Sequence, residues 1–168
     1  MSTSVTVSTY TSAHTITYVT TKTLLIFKEI IREIGLDPAK LSDDWVVLER
    51  GISTWLRSRH LERIRLEIFN PKTDKLVCSW DLDVVYGYGA DGSFWADTDS
   101  IRYSIRKAGL VPVSCDYKFT VFTSAGRPDV DGWSRCTARS TEGFRRYGIG
   151  ATIGGNGIGT EVSYWIKV

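Results

Sequence analysis

The feature of this sequence that most constrains its fold is a change in the spacing of apolar residues close to residue 61. Before that point apolar residues recur every three or four positions, as in amphipathic helices, and after it they alternate with polar residues, as in half-buried strands. Ile64, Leu66 and Ile68 form the first alternating run, and a second extends from Leu76 to Val84 after the turn sequence NPKTDK. The two runs predict an antiparallel β-hairpin.

Helical spacing predicts two helices before the hairpin and one after it. The first covers residues 20–34 and ends at Gly35, and the second is the segment LSDDWVVLERGISTWLRSRH with Ser42 as its N-cap. The third is the segment DTDSIRYSIRKAG with Asp97 as its cap. Residues 15–19 alternate apolar and hydroxyl side chains, which predicts a short strand before the first helix.

A third long strand is predicted at residues 115–123, so the element order is helix, helix, strand, strand, helix, strand. This order indicates an α+β fold, with a three-stranded antiparallel core sheet backed by three helices. The 168 residues fit a single domain. We expect residues 1–13, which are rich in Ser and Thr, to be mobile, residues 14–124 to form the core, and residues 125–168 to form a C-terminal arm.

The arm combines glycines with large aromatic residues. Nine of the fifteen glycines lie between Gly126 and Gly159, yet the same region carries aromatic side chains that a flexible linker lacks. We therefore expect the arm to add strands at the edges of the sheet and to use some of its glycines as hinges. The hinge candidates are Gly148, Gly150, Gly154, Gly155, Gly157 and Gly159. Their spacing matches neither G-x-G-x-x-G nor a P-loop, which argues against phosphate binding.

Composition and motifs favour a cytoplasmic protein that is not an enzyme. The net charge is +2 with acids and bases interleaved, and no apolar run has the length of a membrane span. Cys78, Cys115 and Cys136 are too far apart for a zinc site, and a reducing compartment suits three free thiols. His14 and His60 are interpreted as structural residues. We expect no metal and no cofactor.

Two other functions stay open at this stage. A nucleic-acid-binding module would use the arginines of the arm, which are Arg135, Arg139, Arg145 and Arg146. A small enzyme would use carboxylates near residues 81–86, with Asp81, Asp83 and Tyr86 beside the loop GYGADG.

Several phrases give the chain a family resemblance. The segments AHTITYVT, LEIFNPKTDKLVCSWDLDVVYG, DGSFWADTDSIRYSIRKAGL and GRPDVDGW, followed by the glycine-rich arm, resemble bacterial HORMA-domain proteins of CBASS anti-phage systems. The resemblance implies a conformational switch whose C-terminal part, a safety belt, closes over a short closure-motif peptide from a partner protein, such as the tail of a second HORMA protein. It also implies that the closed form activates a cGAS/DncV-like nucleotidyltransferase and that an AAA+ remodelling ATPase reopens the domain by its N-terminus.

These expectations assign residues. The resemblance implies that the peptide lies beside strand 115–123 and is held by aromatic anchors of the arm. The predicted peptide-binding residues are Asp116, Tyr117, Lys118, Phe119, Thr120, Val121, Phe122, Trp133, Tyr164 and Trp165. The residues expected to engage the ATPase are Ser2, Thr3, Ser4, Val5, Thr6, Val7, Ser8, Thr9 and Tyr10.

Overall fold

The computed structural model describes residues 2–88 and 94–168, with the side chains of residues 13–87 and 94–168. The described residues form four helices and six strands. The helices are α1 (Ser2–Glu33), α2 (Ala39–Asp43), α3 (Trp45–Arg57) and α4 (Asp99–Ala108), and the strands are β1 (Leu61–Asn70), β2 (Lys75–Tyr88), β3 (Trp95–Ala96), β4 (Asp116–Thr123), β5 (Phe144–Gly154) and β6 (Gly157–Lys167).

The strands form one antiparallel sheet in the order β3-β5-β6-β2-β1-β4. The predicted hairpin is confirmed, because Leu66 of β1 lies opposite Trp80 of β2. The predicted core sheet is present as β2-β1-β4, and Leu66 also lies opposite Phe119 of β4. The arm adds β5 and β6 to the other side of β2, and the short strand β3 pairs with β5, so the sheet has six strands rather than three.

The two faces of the sheet differ in character. Leu66 and Phe119 face the helices, where Phe119 meets Phe27 of α1 edge-on with ring centroids 5.2 Å apart. Arg65 and Asp81 lie on the opposite face and form a bidentate ion pair across β1 and β2, with N···O distances of 2.7 and 2.9 Å. Asp81 is fully buried. This face is therefore fixed by charge pairing, and the helix side by apolar packing.

The N-terminal region differs most from expectation. Residues 15–19 are helical rather than extended, and residues 2–13, expected to lack regular structure, form the first turns of the same helix α1. Ile16 and Val19 are buried and continue the apolar stripe of Phe27. Threonine has a weak helix propensity, but tertiary packing of one face overrides it. The buried Thr20 and Thr23 occupy core positions that a division into apolar and polar residues does not detect.

The other helices differ in their ends. The second predicted helix is divided into α2 and α3 at Asp44, so Ser42 lies inside α2 and is not an N-cap. Helix α4 begins two residues after Asp97. The Asp97 carboxylate nevertheless accepts hydrogen bonds from the backbone N–H and the hydroxyl of Ser100, and these bonds hold its pKa below the ordinary value.

The three cysteines should differ sharply in reactivity. Burial, with nearby Cys115 as a lesser cause, raises the pKa of Cys78 to about 12, and burial also raises the pKa of Cys115, whereas Cys136 is exposed. Because the thiolate is the reactive form, we expect Ellman's reagent at mildly alkaline pH to modify Cys136 first and Cys78 only on unfolding. If Cys136→Ser leaves the fast reaction unchanged, this ranking is wrong.

Candidate functional site

The outer edge of β4 has no partner strand among residues 2–88 and 94–168. Strand β4 is the last strand of the sheet and pairs only with β1. The backbone carbonyl of Tyr117 accepts a hydrogen bond from Lys40 Nζ at 2.8 Å, so it points to the open side. Alternate residues of a strand direct their backbone groups to the same side. Phe119 and Val121 therefore present their N–H and C=O groups to this open side, which is suited to pairing with another strand.

A long connection crosses this open edge. Residues 124–143, which we call the strap, join β4 to β5. Its first half lies against α3 on the helix side of the sheet. Trp55 Nε1 donates to the Pro128 carbonyl at 2.8 Å, and Trp133 Nε1 donates to the Val47 carbonyl at 2.9 Å. The rings of Trp55 and Trp133 meet edge-on with centroids 5.1 Å apart, so two tryptophans fix this half of the strap.

A glycine in the middle of α3 makes room for the strap. A methyl group added at Gly51 would stand 2.2 Å from Trp133 Nε1 and 2.4 Å from its Cε2. Glycine weakens a helix interior by about 1 kcal/mol relative to alanine. The close approach of the indole explains why the helix carries this residue.

The second half of the strap is fastened on the opposite face of the sheet. Glu67 of β1 is 1% exposed. Its carboxylate accepts from Thr120 Oγ1 at 2.8 Å, from the backbone N–H of Arg139 at 3.1 Å and from Arg139 Nη1 at 3.2 Å. Arg139 also binds Asp74 and lies over the Phe69 ring at 3.6 Å. The strap thus passes around the edge of β4, from the helix side of the sheet to the other side.

A cleft of about 910 Å³ lies between the open edge of β4 and the strap. This volume falls within the range of roughly 300–1,000 Å³ that is usual for ligand sites. Residues 118–123 line one side of the cleft, strap residues the other, and Trp55 and Glu62 complete the wall. An unpaired strand edge inside a long cleft is suited to an extended polypeptide, because the ligand backbone can continue the sheet.

The structure brings only some of the predicted peptide-binding residues together. Residues 118–122 and Trp133 line the cleft. Asp116 and Tyr117 lie beyond it, where Asp116 pairs with Lys40 at 3.3 Å and the Tyr117 hydroxyl donates to the Asp37 carbonyl at 2.9 Å. These two residues fasten β4 to α2 and the turn that precedes it.

Tyr164 and Trp165 lie elsewhere. Both belong to β6, which β2 and β1 separate from β4. Tyr164 is stacked between Trp80 and Tyr147, with centroid distances of 4.8 and 5.3 Å. Trp165 Nε1 donates to Asp81 Oδ2 at 2.9 Å. In this arrangement the two residues do not contact the cleft, and they hold the arm against β2 instead.

The proposed hinge glycines occupy the β5–β6 hairpin. Only two of the six have positive φ angles, Gly150 at 102° and Gly157 at 90°, and L side chains are strained there. Gly154 is needed for space, because an added methyl group would stand 2.0 Å from Trp95 Nε1. At Gly155 such a group would stand 3.1 Å from Thr15 Cγ2, so the tip of the hairpin rests on α1. The expected ATPase-engaging residues, 2–10, form the start of α1, and their side chains lie outside the described part.

The arrangement does not favour the two alternative functions. Of the four arginines proposed for nucleic-acid binding, Arg139 is bound to Glu67 and Arg146 lies 3.6 Å from Asp83, whereas Arg135 and Arg145 are exposed. In the proposed enzyme site, Arg65 and Arg63 pair with the carboxylates of Asp81 and Asp83.

The remaining member of that site is also engaged. The Tyr86 hydroxyl donates to the Leu61 carbonyl, and burial raises its pKa to about 12. The described side chains include no group of three or more potential metal ligands. No helix in the described part is long and apolar enough to cross a membrane.

Sequence reasoning missed Glu67 and Arg139 as parts of this site, and it linked Gly51 to close packing without identifying Trp133 as the partner. Glu67 has the spacing of a solvent-facing strand residue, and its burial depends on a strap that comes from more than sixty positions away. The mid-helix glycine was the one available signal, because it indicates close packing without naming the partner.

We predict that Gly51→Ala destabilises the chain although alanine favours helices by about 1 kcal/mol. The added methyl group must displace Trp133, and overpacking of this kind lowers the free energy of unfolding by about 1–3 kcal/mol. Urea unfolding and hydrogen exchange of residues 124–143 measure the effect. Ser53→Ala on the same helix is the control. A Gly51→Ala chain as stable as this control would contradict the packing described here.

No curated sequence matches the chain, but several solved structures are similar to it. A chain from a crystal structure of the mitotic checkpoint complex is 9% identical, with a TM-score of 0.71 over 89% of this chain and 99% of that one. C. elegans HTP-2 bound to the HIM-3 closure motif is 11% identical, with a TM-score of 0.61 over 84% and 85%.

A chain from the E. coli MS115-1 CdnC:HORMA-deltaN complex is 8% identical, with a TM-score of 0.60 over 93% of this chain and 89% of that one. At sequence identities of 8%, 9% and 11%, these structural similarities are evidence for a shared fold only. The family model described as bacterial HORMA domain 2 matches residues 2–168, which is nearly the whole chain. The protein therefore belongs to the bacterial HORMA domain 2 family.

Proposed function

We propose that this protein is a peptide-binding conformational switch in an anti-phage CBASS system. A closure-motif peptide adds to the open edge of β4 as a seventh strand and is enclosed by the strap. The observation that carries the proposal is the unpaired edge of β4 facing a cleft of about 910 Å³ beneath the strap. The similar HTP-2 structure, which holds a closure motif, supports it.

Backbone pairing gives such a site general affinity, and side-chain contacts give selectivity. Phe119 and Val121 supply backbone donors and acceptors on the open side, because they alternate with Tyr117, whose carbonyl points to that side. The strap then slows release, because it is fastened to α3 by Trp133 and to β1 by Arg139. A ligand can leave only when one of these fastenings opens or when it slides out lengthwise.

The proposed partners are those that the family resemblance implies. In our proposal the closed, peptide-loaded form binds and activates a cGAS/DncV-like nucleotidyltransferase, and the chain itself carries out no catalysis. The similarity to a chain from the CdnC:HORMA-deltaN complex supports this assignment. In the structure the arm pairs with β2, and the outer edge of β4 is unpaired. We assign this arrangement to the closed form of the switch.

An AAA+ ATPase that pulls on the N-terminus would reopen the domain. The contact between α1 and the arm supports this part of the proposal. Thr15 and Val19 lie beneath Gly155 at the tip of the β5–β6 hairpin, and both are buried. Unwinding α1 as far as Val19 would remove the surface on which the hairpin tip rests. The loss of that surface would weaken the attachment of the arm and release the strap.

The experiment that tests the proposed function measures peptide release. A displayed library of random short peptides is selected on the full chain, and an enriched peptide is labelled for fluorescence anisotropy. Arg139→Ala leaves the buried Glu67 carboxylate without its main charged donor, so we expect release about ten- to a hundredfold faster. Arg145→Ala, at an exposed position of β5, is the control and should release the peptide at the rate of the unchanged chain.

Two outcomes would count against the proposed function. One is a library selection that enriches no peptide on the folded protein. The other is an Arg139→Ala chain that releases the peptide as slowly as Arg145→Ala. A truncation after Ser124 would be a weaker test, because it removes β5 and β6 and uncovers β2.

Deletion of residues 2–13 tests the reopening step. The deletion keeps Thr15 and Val19, so we expect peptide affinity to change less than about threefold, which corresponds to under 1 kcal/mol. Peptide release driven by the cognate ATPase and ATP should stop, because the enzyme loses its point of attachment. Normal ATP-driven release from the shortened chain would show that the ATPase engages another part of the protein.

A further inference from the structure

A second, smaller cavity adjoins the main cleft on the helix side of β4. It has a volume of about 250 Å³, and it shares Lys118, Phe119, Gly132 and Trp133 with the main cleft. Helices α2 and α3 close its inner side with Leu41 and Leu48. The volume is several times the roughly 30 Å³ that one water molecule occupies in the liquid. The cavity is therefore large enough for a sizeable side chain.

The polar groups of this cavity are already engaged. Lys40 Nζ bonds the Tyr117 carbonyl and Asp116, and the Tyr117 hydroxyl donates to Asp37. Trp133 Nε1 donates to the Val47 carbonyl. Asp44 lies exposed at the rim, and Lys118 also lines the cavity, but Lys118 alternates with Phe119, so its exposed side chain projects to the opposite face of β4. Away from this rim, a polar ligand side chain would lose water without gaining a partner, which is unfavourable.

The register of a bound strand places a side chain over this cavity. A strand that pairs with the open edge of β4 has one residue directly opposite Phe119, and directly opposed residues project to the same face of a sheet. Phe119 projects to the helix side, where it contacts Phe27. The ligand residue opposite Phe119 therefore projects toward the helices as well, above Leu48 and beside Trp133.

We propose that this cavity is a specificity pocket that selects a large apolar side chain, such as Leu, Ile, Met or Phe, at one position of the bound peptide. The inference rests on the proposed peptide binding and names the chemistry that the site accepts. Two of the walls, Gly132 and Trp133, belong to the strap. The pocket is complete only when the strap is closed, so a fitting side chain stabilises the closed strap, and a small one leaves a void beside Trp133.

Substitution at Val47 tests the pocket without removing any hydrogen bond. Val47 lines the cavity, and only its backbone carbonyl bonds Trp133. Val47→Leu adds one methylene group at the wall of the cavity, beside Gly132 of the strap. Val46→Leu makes the same chemical change at the neighbouring residue, which is 65% exposed and does not line the cavity, and serves as the matched control. Both residues lie on α3, where leucine is a better helix former than valine.

The same displayed library is selected on the unchanged chain and on both variants. On the unchanged chain, one position of the enriched peptides should be large and apolar, and its change to Ala should weaken binding about ten- to a hundredfold. Val47→Leu should shift that position toward Ala, Ser or Val and reduce the preference to about threefold or less. Val46→Leu should select the same peptides as the unchanged chain.

The outcomes separate this inference from the proposed function. If the unchanged chain enriches no peptide, the proposed function fails and the inference fails with it. If peptides are enriched but no position favours large apolar residues, only the specificity pocket is overturned. The specificity pocket is also overturned if Val47→Leu and Val46→Leu select identical peptides, because the cavity then does not determine which ligand side chain is preferred.

Discussion

The structure depends on the pairing of β6 with β2. This ladder runs from Cys78 opposite Ile166 to Tyr88 opposite Gly157, and it decides which edge of the core sheet the arm occupies. Trp165 reinforces it through the buried carboxylate of Asp81, and Tyr164 through its stack on Trp80. Because the arm occupies the β2 side, β4 stays unpaired at the far edge. The strap must then span the molecule from β4 to β5, and it encloses the cleft on its way.

The strap is held by a few specific contacts rather than by a continuous hydrogen-bonded ladder. Trp133 lies against a glycine of α3, and Arg139 lies against a carboxylate that is otherwise sealed in the sheet. Each contact has a large local effect, because removing one partner leaves a void or a buried unpaired charge. Between Trp133 and Arg139, the strap spans the cleft without entering the hydrophobic core. Opening such a segment breaks no pairing between strands, which suits the reversible closure that we propose.

Local sequence patterns predicted the hairpin, the three helical regions and β4, because spacing along the chain determines which residues face a core. They did not predict that residues 15–19 are helical, since buried threonines such as Thr20 resemble exposed or extended residues when only polarity is considered. They also could not decide which edge of the sheet receives the arm. Tyr164 and Trp165 suit either edge equally well as aromatic strand residues, and the choice depends on partners such as Trp80 and Asp81, more than eighty positions away.

The proposed ligand site at β4 and the N-terminus would respond differently to mechanical force. In the proposed complex, a ligand strand beside β4 would be drawn along its own length when its partner protein moves away, so all its backbone bonds would share the load and break together. Traction on the start of α1 would act at one point and, once residues 2–13 had unwound, would reach the turns that carry Thr15 and Val19 beneath Gly155. There the contacts fail one after another, as in unzipping. In the proposed switch, the fold would therefore resist force from the ligand side and yield to a weaker pull at its N-terminus.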